Sequence, residues 1–356
     1  MFSDLVRVLV PSTLSFLIGL AITPILAGYL YEYKAWKKTA GKQTLYGTLA
    51  EEFNRLHMAN ETRAPRMGGV VVWGSVLGAA IILLLLAVIL PNEGLLSLDF
   101  LSRGQTWIPF STLLIGAIVG LIDDLLVIRP GGSGIKLRYR LFIVLLLSFF
   151  IGSWFWAKLG VTSISIPFAS PLVLGWGIVP LFVLMSLGLY ASGVIDGIDG
   201  LSGGVFASIF AAYTLIAFSY NQIDLAAFCA AIVGGLLAFL WFNIPPARFY
   251  MSDTGTMALT LCLGTVAFMT DQLAGGGVGI AVLPIIGGLL VVTVLSDVLQ
   301  MVWKRVFGRK LLRIAPLHHH FEAIGWPGYK VVMRYWVLSI ALAFAGVLLA
   351  LLSTKP

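Results

Sequence analysis

Residues 68–91 read GGVVVWGSVLGAAIILLLLAVILP, a run of 24 residues without a charged side chain. About 20 mostly apolar residues at 1.5 Å each cross the hydrocarbon core of a bilayer. The run is long enough, and Ser75 is its only polar interruption. Nine further segments of the same kind occur, near 6–30, 108–128, 139–157, 172–191, 201–219, 225–242, 255–271, 279–303 and 331–353. The whole chain is 59% hydrophobic and 11% charged, whereas soluble domains carry about 25% charged residues. The expected fold is therefore all-α: a polytopic membrane protein of about ten transmembrane helices, forming a single integral-membrane domain over 1–356. Residues 1–31 lack a basic n-region followed by a small-residue cleavage site, so the first span is expected to stay as an anchor.

Basic residues set the orientation. With ten alternating spans, eighteen of them share one side, in the 31–67 loop, the 129–140 loop, the turn at Arg248 and the 304–330 segment. The other side has only Arg7, Arg103, Lys158 and Lys355. The rich side is expected to be cytoplasmic and both termini outside. The net charge of +7 is first a topology signal and only second an attraction for anionic lipids or phosphates; nucleic acid is not an expected partner. Cys229 and Cys262 fall within spans as packing residues, with no metal or disulfide spacing. Leu45, Leu49, Phe53 and Leu56 recur at helical spacing, so 44–60 reads as an interfacial amphipathic helix or a cytoplasmic packing helix.

Five aspartates stand at span ends on the basic-rich side. Intramembrane acids are costly and usually line wet, functional cavities, and clustered carboxylates suit Mg²⁺. Asp123-Asp124 ends the third span; adjacent helical residues point about 100° apart, so one faces a cavity while the other orients it, or both cap a solvated terminus. Asp196-Gly-Ile-Asp199-Gly, between spans five and six, is either a ligand-approaching loop or a tight polar turn. Asn243-Ile-Pro-Pro-Ala-Arg-Phe-Tyr250-Met-Ser-Asp253 joins spans seven and eight. There Asp253 either ligates a cation or N-caps the next helix.

His318-His319-His320 lies on the same side, in Leu317-His-His-His-Phe-Glu322. Adjacent imidazoles splay apart, so phosphate hydrogen bonding is at least as good a reading as Zn²⁺ ligation. Arg66, before the Gly68-Gly69 pair, and Arg138 with Arg140, before span four, are phosphate contacts or membrane anchors. Asp297 and Gln300 lie on adjoining faces of span nine, where a broken span would make the acid routine.

Together these motifs resemble the phospho-N-acetylmuramoyl-pentapeptide transferase (translocase I) family, within the polyprenyl-phosphate N-acetylhexosamine-1-phosphate transferase superfamily. The likeness runs from Met67-Gly-Gly through the Asp pair, D-G-x-D-G and N-x-x-P-A-x-x-x-M-x-D-x-G to P-x-H-H-H-F-E-x-x-G-W-P at 316–327. The acidic motifs indicate the superfamily, and the triple histidine points to the muramoyl-pentapeptide branch. The resemblance implies a bacterial cytoplasmic-membrane enzyme with a Mg²⁺-dependent site facing the cytoplasm. It would transfer phospho-MurNAc-pentapeptide from UDP-MurNAc-pentapeptide to undecaprenyl phosphate, giving lipid I and UMP for peptidoglycan synthesis. By the same resemblance Asp253 ligates Mg²⁺, Asp123 is base or nucleophile with Asp124 beside it, and Asp199, Gly197 and Asn243 contact uridine with Asp196 nearby. Tyr250 stacks on the ligand, and His318, His319 and His320 meet the phosphate or sugar-peptide end. Arg66, Arg138 and Gln300 complete the candidate substrate contacts, and the family suggests a homodimer.

The chain departs from the family pattern at several positions. Gly193 stands where the family has Asn, Ile195 for Thr, Arg66 for Thr and Ser252 for Gly, while Thr293 replaces a Glu. A lysine common after the Asp pair is absent, with Val127 and Ile128 in that region. A sister transferase using UDP-GlcNAc fits the acids but not the triple histidine. A homologue that only binds lipid or a partner is the reading Gly193 motivates. An ion-coupled transporter would place its broken helices near the midplane, whereas these acids lie at span ends.

Overall fold

The computed structural model describes residues 2–38, 41, 54–55, 62, 64–90, 92–272 and 277–353. The expected amphipathic helix at 44–60 lies outside these residues apart from Asn54 and Arg55, as does Arg63. The principal helices are α1 (Phe2–Glu32), α2 (Gly69–Ile89), α3 (Trp107–Val127), α4 (Leu137–Lys158), α5 (Ile178–Ala191) and α6 (Leu201–Ser219). They continue with α7 (Ile223–Asn243), α8 (Ser252–Gln272), α9 (Gly279–Ile286), α10 (Gly288–Phe307), α11 (Leu317–Ala323) and α12 (Gly328–Ser353). Eight of the segments are long and apolar enough to cross a membrane, and α9 with α10 forms a bent ninth.

Helix α8 is not among them; it carries five threonines: Thr254, Thr256, Thr260, Thr265 and Thr270. All five are buried. Several bond back to a carbonyl one turn earlier, as Thr260 Oγ1 does to the Thr256 carbonyl at 2.7 Å. Thr265 also pairs with Thr112 of α3 at 2.9 Å. A helix enclosed by protein needs no lipid-compatible face, so polar hydroxyls are tolerated where their bonds are met. The outer helices show the opposite pattern: Val88, Ile89, Phe142, Phe150 and Phe344 are large apolar residues left exposed, as a lipid-facing surface requires.

Two expected spans are corrected. The segment beginning at 172 starts as a strand: β1 (Ser163–Ile164) pairs antiparallel with β2 (Leu172–Val173), and a 3-10 turn at Gly175–Gly177 precedes α5. The glycines at 175 and 177 break the helix, so Leu172 and Val173 extend the apolar run without extending the helix. This hairpin lies at the opposite end of α8 from Asp253, where the Ser165 N–H donates to Asp271 at 3.2 Å. The span at 279–303 is broken at Gly287, and its halves diverge by 66°. The proline at 284 withholds one N–H, and the Gly287-Gly288 pair permits the bend. Asp297 lies half-buried on the second half, α10, which turns Val291, Leu295 and Val298 outward and Leu289, Leu290 and Thr293 inward.

Glycines bring three helix ends together. A Cβ on Gly69, at the start of α2, would stand 2.2 Å from the Gly255 nitrogen, and one on Gly120 of α3 would stand 2.1 Å from the Asp253 carbonyl oxygen. No side chain fits either gap. The bare backbones therefore let α2 and α3 press onto the first turn of α8, where the site forms.

Candidate active site

Asp123, Asp124 and Asp253 each offer a carboxylate oxygen, and these oxygens lie within 4.8 Å of one another. Asp123 and Asp124 are buried, while the Asp253 side chain is 26% exposed and so the open member of the set. Two guanidiniums bound the cluster. Arg66 donates from Nε to Asp124 Oδ1 at 2.8 Å; its Nη2 makes an ion pair with the same oxygen at 2.8 Å and lies 3.5 Å from Asp253 Oδ2. Arg140 Nη1 bridges Asp123 at 3.5 Å and Asp253 at 3.3 Å. Burial penalises the Arg66 cation, but the carboxylates of Asp124 and Asp253 outweigh that and hold its pKa above the ordinary arginine value.

The adjacent acids face different neighbours, as their 100° separation requires. Asp124 Oδ2 accepts from the Thr254 N–H at 3.0 Å and from its hydroxyl at 2.6 Å. With Arg66 on the other oxygen, Asp124 is saturated. Asp123 Oδ1 accepts the Ile135 N–H at 2.6 Å, and Oδ2 receives a long contact from Arg140 at 3.5 Å. Asp123 is thus the carboxylate of the pair with lone pairs to spare.

Helix α8 begins with amide groups that have no intrahelical partner and a positive dipole end. Two acids from other segments meet them: Asp124 at Thr254, and Asp196 Oδ2 at the Ser252 N–H, 2.8 Å away. Asp196 Oδ1 takes the Ser202 hydroxyl at 2.7 Å. Burial pushes the Asp196 carboxyl above the usual carboxylate range, against the pull of those two donors. Asp253 itself sits in the first turn of α8, with its side chain turned to the arginines.

Gly197 joins the D-G-x-D-G loop to the histidines. A Cβ there would stand 2.5 Å from His319 Nε2 and 2.7 Å from His318 Nε2. The two imidazoles are buried, with ring centroids 4.4 Å apart. His319 Nδ1 lies 2.8 Å from Glu322 Oε2; with the carboxylate ionised, that nitrogen is the donor. His320 turns away, its Nδ1 accepting the Arg313 N–H at 3.1 Å.

Other candidates hold backbone. Asn243 is buried; its carbonyl accepts the Gly200 N–H and its amide donates to the Phe249 carbonyl, both at 2.8 Å. Asp199 Oδ2 accepts the Ala247 N–H at 3.0 Å. Gln300 accepts the Leu311 and Leu312 N–H groups and donates to the Leu312 carbonyl, securing the segment before α11. Tyr250 is half-buried, its carbonyl accepting the Gly68 N–H at 2.8 Å. Gly193 lies 3.4 Å, measured from a Cβ built on it, from the Thr256 side chain.

Arg138 does not reach the acids. It is exposed, with its guanidinium 4.8 Å from the Tyr139 ring centre, and Arg140 takes the place beside Asp123. Two positions apart on a helix is about 200°, so these two arginines face opposite ways. Both sit in the same basic run, and sequence carries no signal for which face α4 presents. Thr254 and Ser202 were equally silent, because their role depends on carboxylates from other segments.

The fold and the site define a polytopic membrane protein whose buried acidic cluster is assembled from the ends of several spans. The glycosyl transferase family 4 profile matches residues 106–271, which carry all five aspartates. A protein named phospho-N-acetylmuramoyl-pentapeptide-transferase from Moorella thermoacetica is 34% identical over 351 residues, covering 97% of this chain and 99% of the relative. One of the same name from Bacillus velezensis is 31% identical over 339 residues, covering 94% and 95%. A third, from Rubrobacter xylanophilus, is 36% identical over 253 residues, covering 67% and 74%. The chain belongs to the phospho-N-acetylmuramoyl-pentapeptide transferase family.

Proposed function

We propose that the chain transfers phospho-MurNAc-pentapeptide from UDP-MurNAc-pentapeptide to undecaprenyl phosphate, releasing UMP and forming lipid I. Relatedness over nearly the full length to proteins named for this transfer carries the reading. The three carboxylates at helix ends support it, since a lipid phosphate approaches along the membrane surface. An oxygen of the lipid phosphate attacks the sugar-bearing phosphorus of the donor; that P–O bond forms as the bond to UMP breaks. Asp123, with an oxygen only loosely engaged, takes the proton from the attacking phosphate. Asp124 is positioned by three hydrogen bonds and an ion pair and orients the cluster.

A hard, oxygen-rich donor set fits Mg²⁺, with Asp253 as the holding residue because it is the most open of the three acids. Mg²⁺, when bound, neutralises the diphosphate and stabilises the departing UMP. His318, His319 and Gly197 form the wall assigned to the phosphate or sugar-peptide end, with Asp196, Asp199, Asn243 and Tyr250 on the nucleotide side. The cluster faces the cytoplasm and both termini lie outside, on the strength of the eighteen basic residues sharing its side.

The test is UMP release by the purified protein. Release is expected only with Mg²⁺, UDP-MurNAc-pentapeptide and undecaprenyl phosphate together, and not with UDP-GlcNAc as donor. Binding of both substrates without UMP release would overturn the reading in favour of a homologue that binds without turnover.

A further inference from the structure

Three carboxylates and two guanidiniums leave the cluster with one formal negative charge. The cation nearest Asp124 is thus already present, and it belongs to the protein. We propose that Arg66 competes with the divalent cation for Asp124 and Asp253, so that metal loading expels the guanidinium, which then pairs with a phosphate of the donor. This rests on the metal reading given above.

Arg66 donates a 2.8 Å hydrogen bond from Nε to one oxygen of Asp124, pairs with the same oxygen through Nη2 at 2.8 Å, and stands 3.5 Å from Asp253 Oδ2. A divalent ion on Asp253 would share that oxygen with a fixed positive charge a few ångströms away. Arginine does not relieve the repulsion by losing its proton. Nor is the backbone free to withdraw. The Arg66 N–H donates to the Ala35 carbonyl at 2.8 Å, the Pro65 carbonyl accepts from Tyr250 at 2.9 Å, and the Gly68 N–H donates to the Tyr250 carbonyl at 2.8 Å. The movement therefore falls to the side chain, which is long, unbranched and 25% exposed, so it has a way out. Once displaced, a planar guanidinium beside a metal-loaded cluster is a bidentate phosphate ligand. Arg140 also reaches Asp253, at 3.3 Å, but its second partner is Asp123 at 3.5 Å, and it has no contact as short as the 2.8 Å bond of Arg66 to Asp124. Arg66 is then a charge-balancing residue in the empty protein and a substrate contact in the loaded one.

Mn²⁺ binding to the full-length protein in detergent, followed by electron paramagnetic resonance without substrates, tests this. Arg66→Gln is expected to bind Mn²⁺ about tenfold more tightly than the wild type, roughly the effect of one well-placed charge. Arg66→Lys, which keeps the charge but loses the fork, should fall between. The rise in unfolding temperature on adding Mn²⁺ should be larger for Arg66→Gln as well. Equal affinities in the wild type and both variants would overturn the competition and leave the metal reading standing. Absence of Mn²⁺ binding in all of them would overturn both. Asp253→Asn should abolish the signal; if it binds as the wild type does, the ion sits elsewhere and the proposal falls. Should Arg66→Gln fail to elute as a single folded species, Arg66→Lys against the wild type decides.

Discussion

Gly120 lies against the main chain of Asp253, and a Cβ at 120 would stand 2.1 Å from the Asp253 carbonyl oxygen. This approach sets the distance between the Asp123-Asp124 pair and the first turn of α8. Gly120→Ala is therefore expected to push α3 off α8, costing about 1–3 kcal/mol as overpacking does. UMP release should fall with the melting temperature. A variant with unchanged melting and unchanged release would show that the contact does not position the site.

The three clustered acids are expected to fail differently. Asp253→Asn should end metal-dependent UMP release while the protein melts near the wild-type temperature, since its side chain is partly exposed and its contacts to the two arginines are long. Asp124→Asn should lower stability as well, because Arg66 and the Thr254 N–H lose a buried charged partner; breaking such a pair costs about 3–5 kcal/mol. Asp123→Asn should lower turnover more than donor binding. Equal melting temperatures and equal losses across all three would sink this division of roles.

Asn243 bonds to the backbone of two loops at once. Asn243→Ala would leave the Gly200 N–H and the Phe249 carbonyl without their partner, at about 1–3 kcal/mol for each buried group. The melting temperature should therefore drop in the absence of any substrate. If nucleotide binding is lost while melting holds, Asn243 acts by direct contact instead.

Gly197 leaves room for the rings of His318 and His319 and nothing more. Gly197→Ala is expected to displace both imidazoles and reduce UMP release. Adding His319→Ala should recover part of the lost melting temperature, because it removes the nearer ring, but not the activity. Thermal melting of the single and double variants, set beside release, measures this; a double variant less stable than the single would count against the packing account.

How far the site was readable follows from what each residue depends on. Asp123, Asp124 and Asp253 were conspicuous because a carboxylate beside lipid is expensive and stands out in an apolar run. Arg140 was not, since choosing it over Arg138 requires the rotation of α4. Arg66 read equally as a phosphate contact or a membrane anchor, and its bond to Asp124 spans 58 positions in the chain. The bend at Gly287 was prefigured by Pro284 and two glycines, whereas the second hairpin strand, Leu172–Val173, lay inside an apolar run that periodicity could not divide.

The all-helical membrane fold, its approximate span count and its family are local matters: runs of apolar residues, the asymmetry of basic loops and short motifs survive in one dimension. The roles within the acidic set are not local. Asp124 and Asp196 cap a helix to which neither belongs, Gly120 and Gly69 close gaps that exist only between helices, and Arg66 balances charge on residues from two other spans. Hydrogen bonds and ion pairs act over about 3 Å of space whatever the distance along the chain, so these assignments follow from packing.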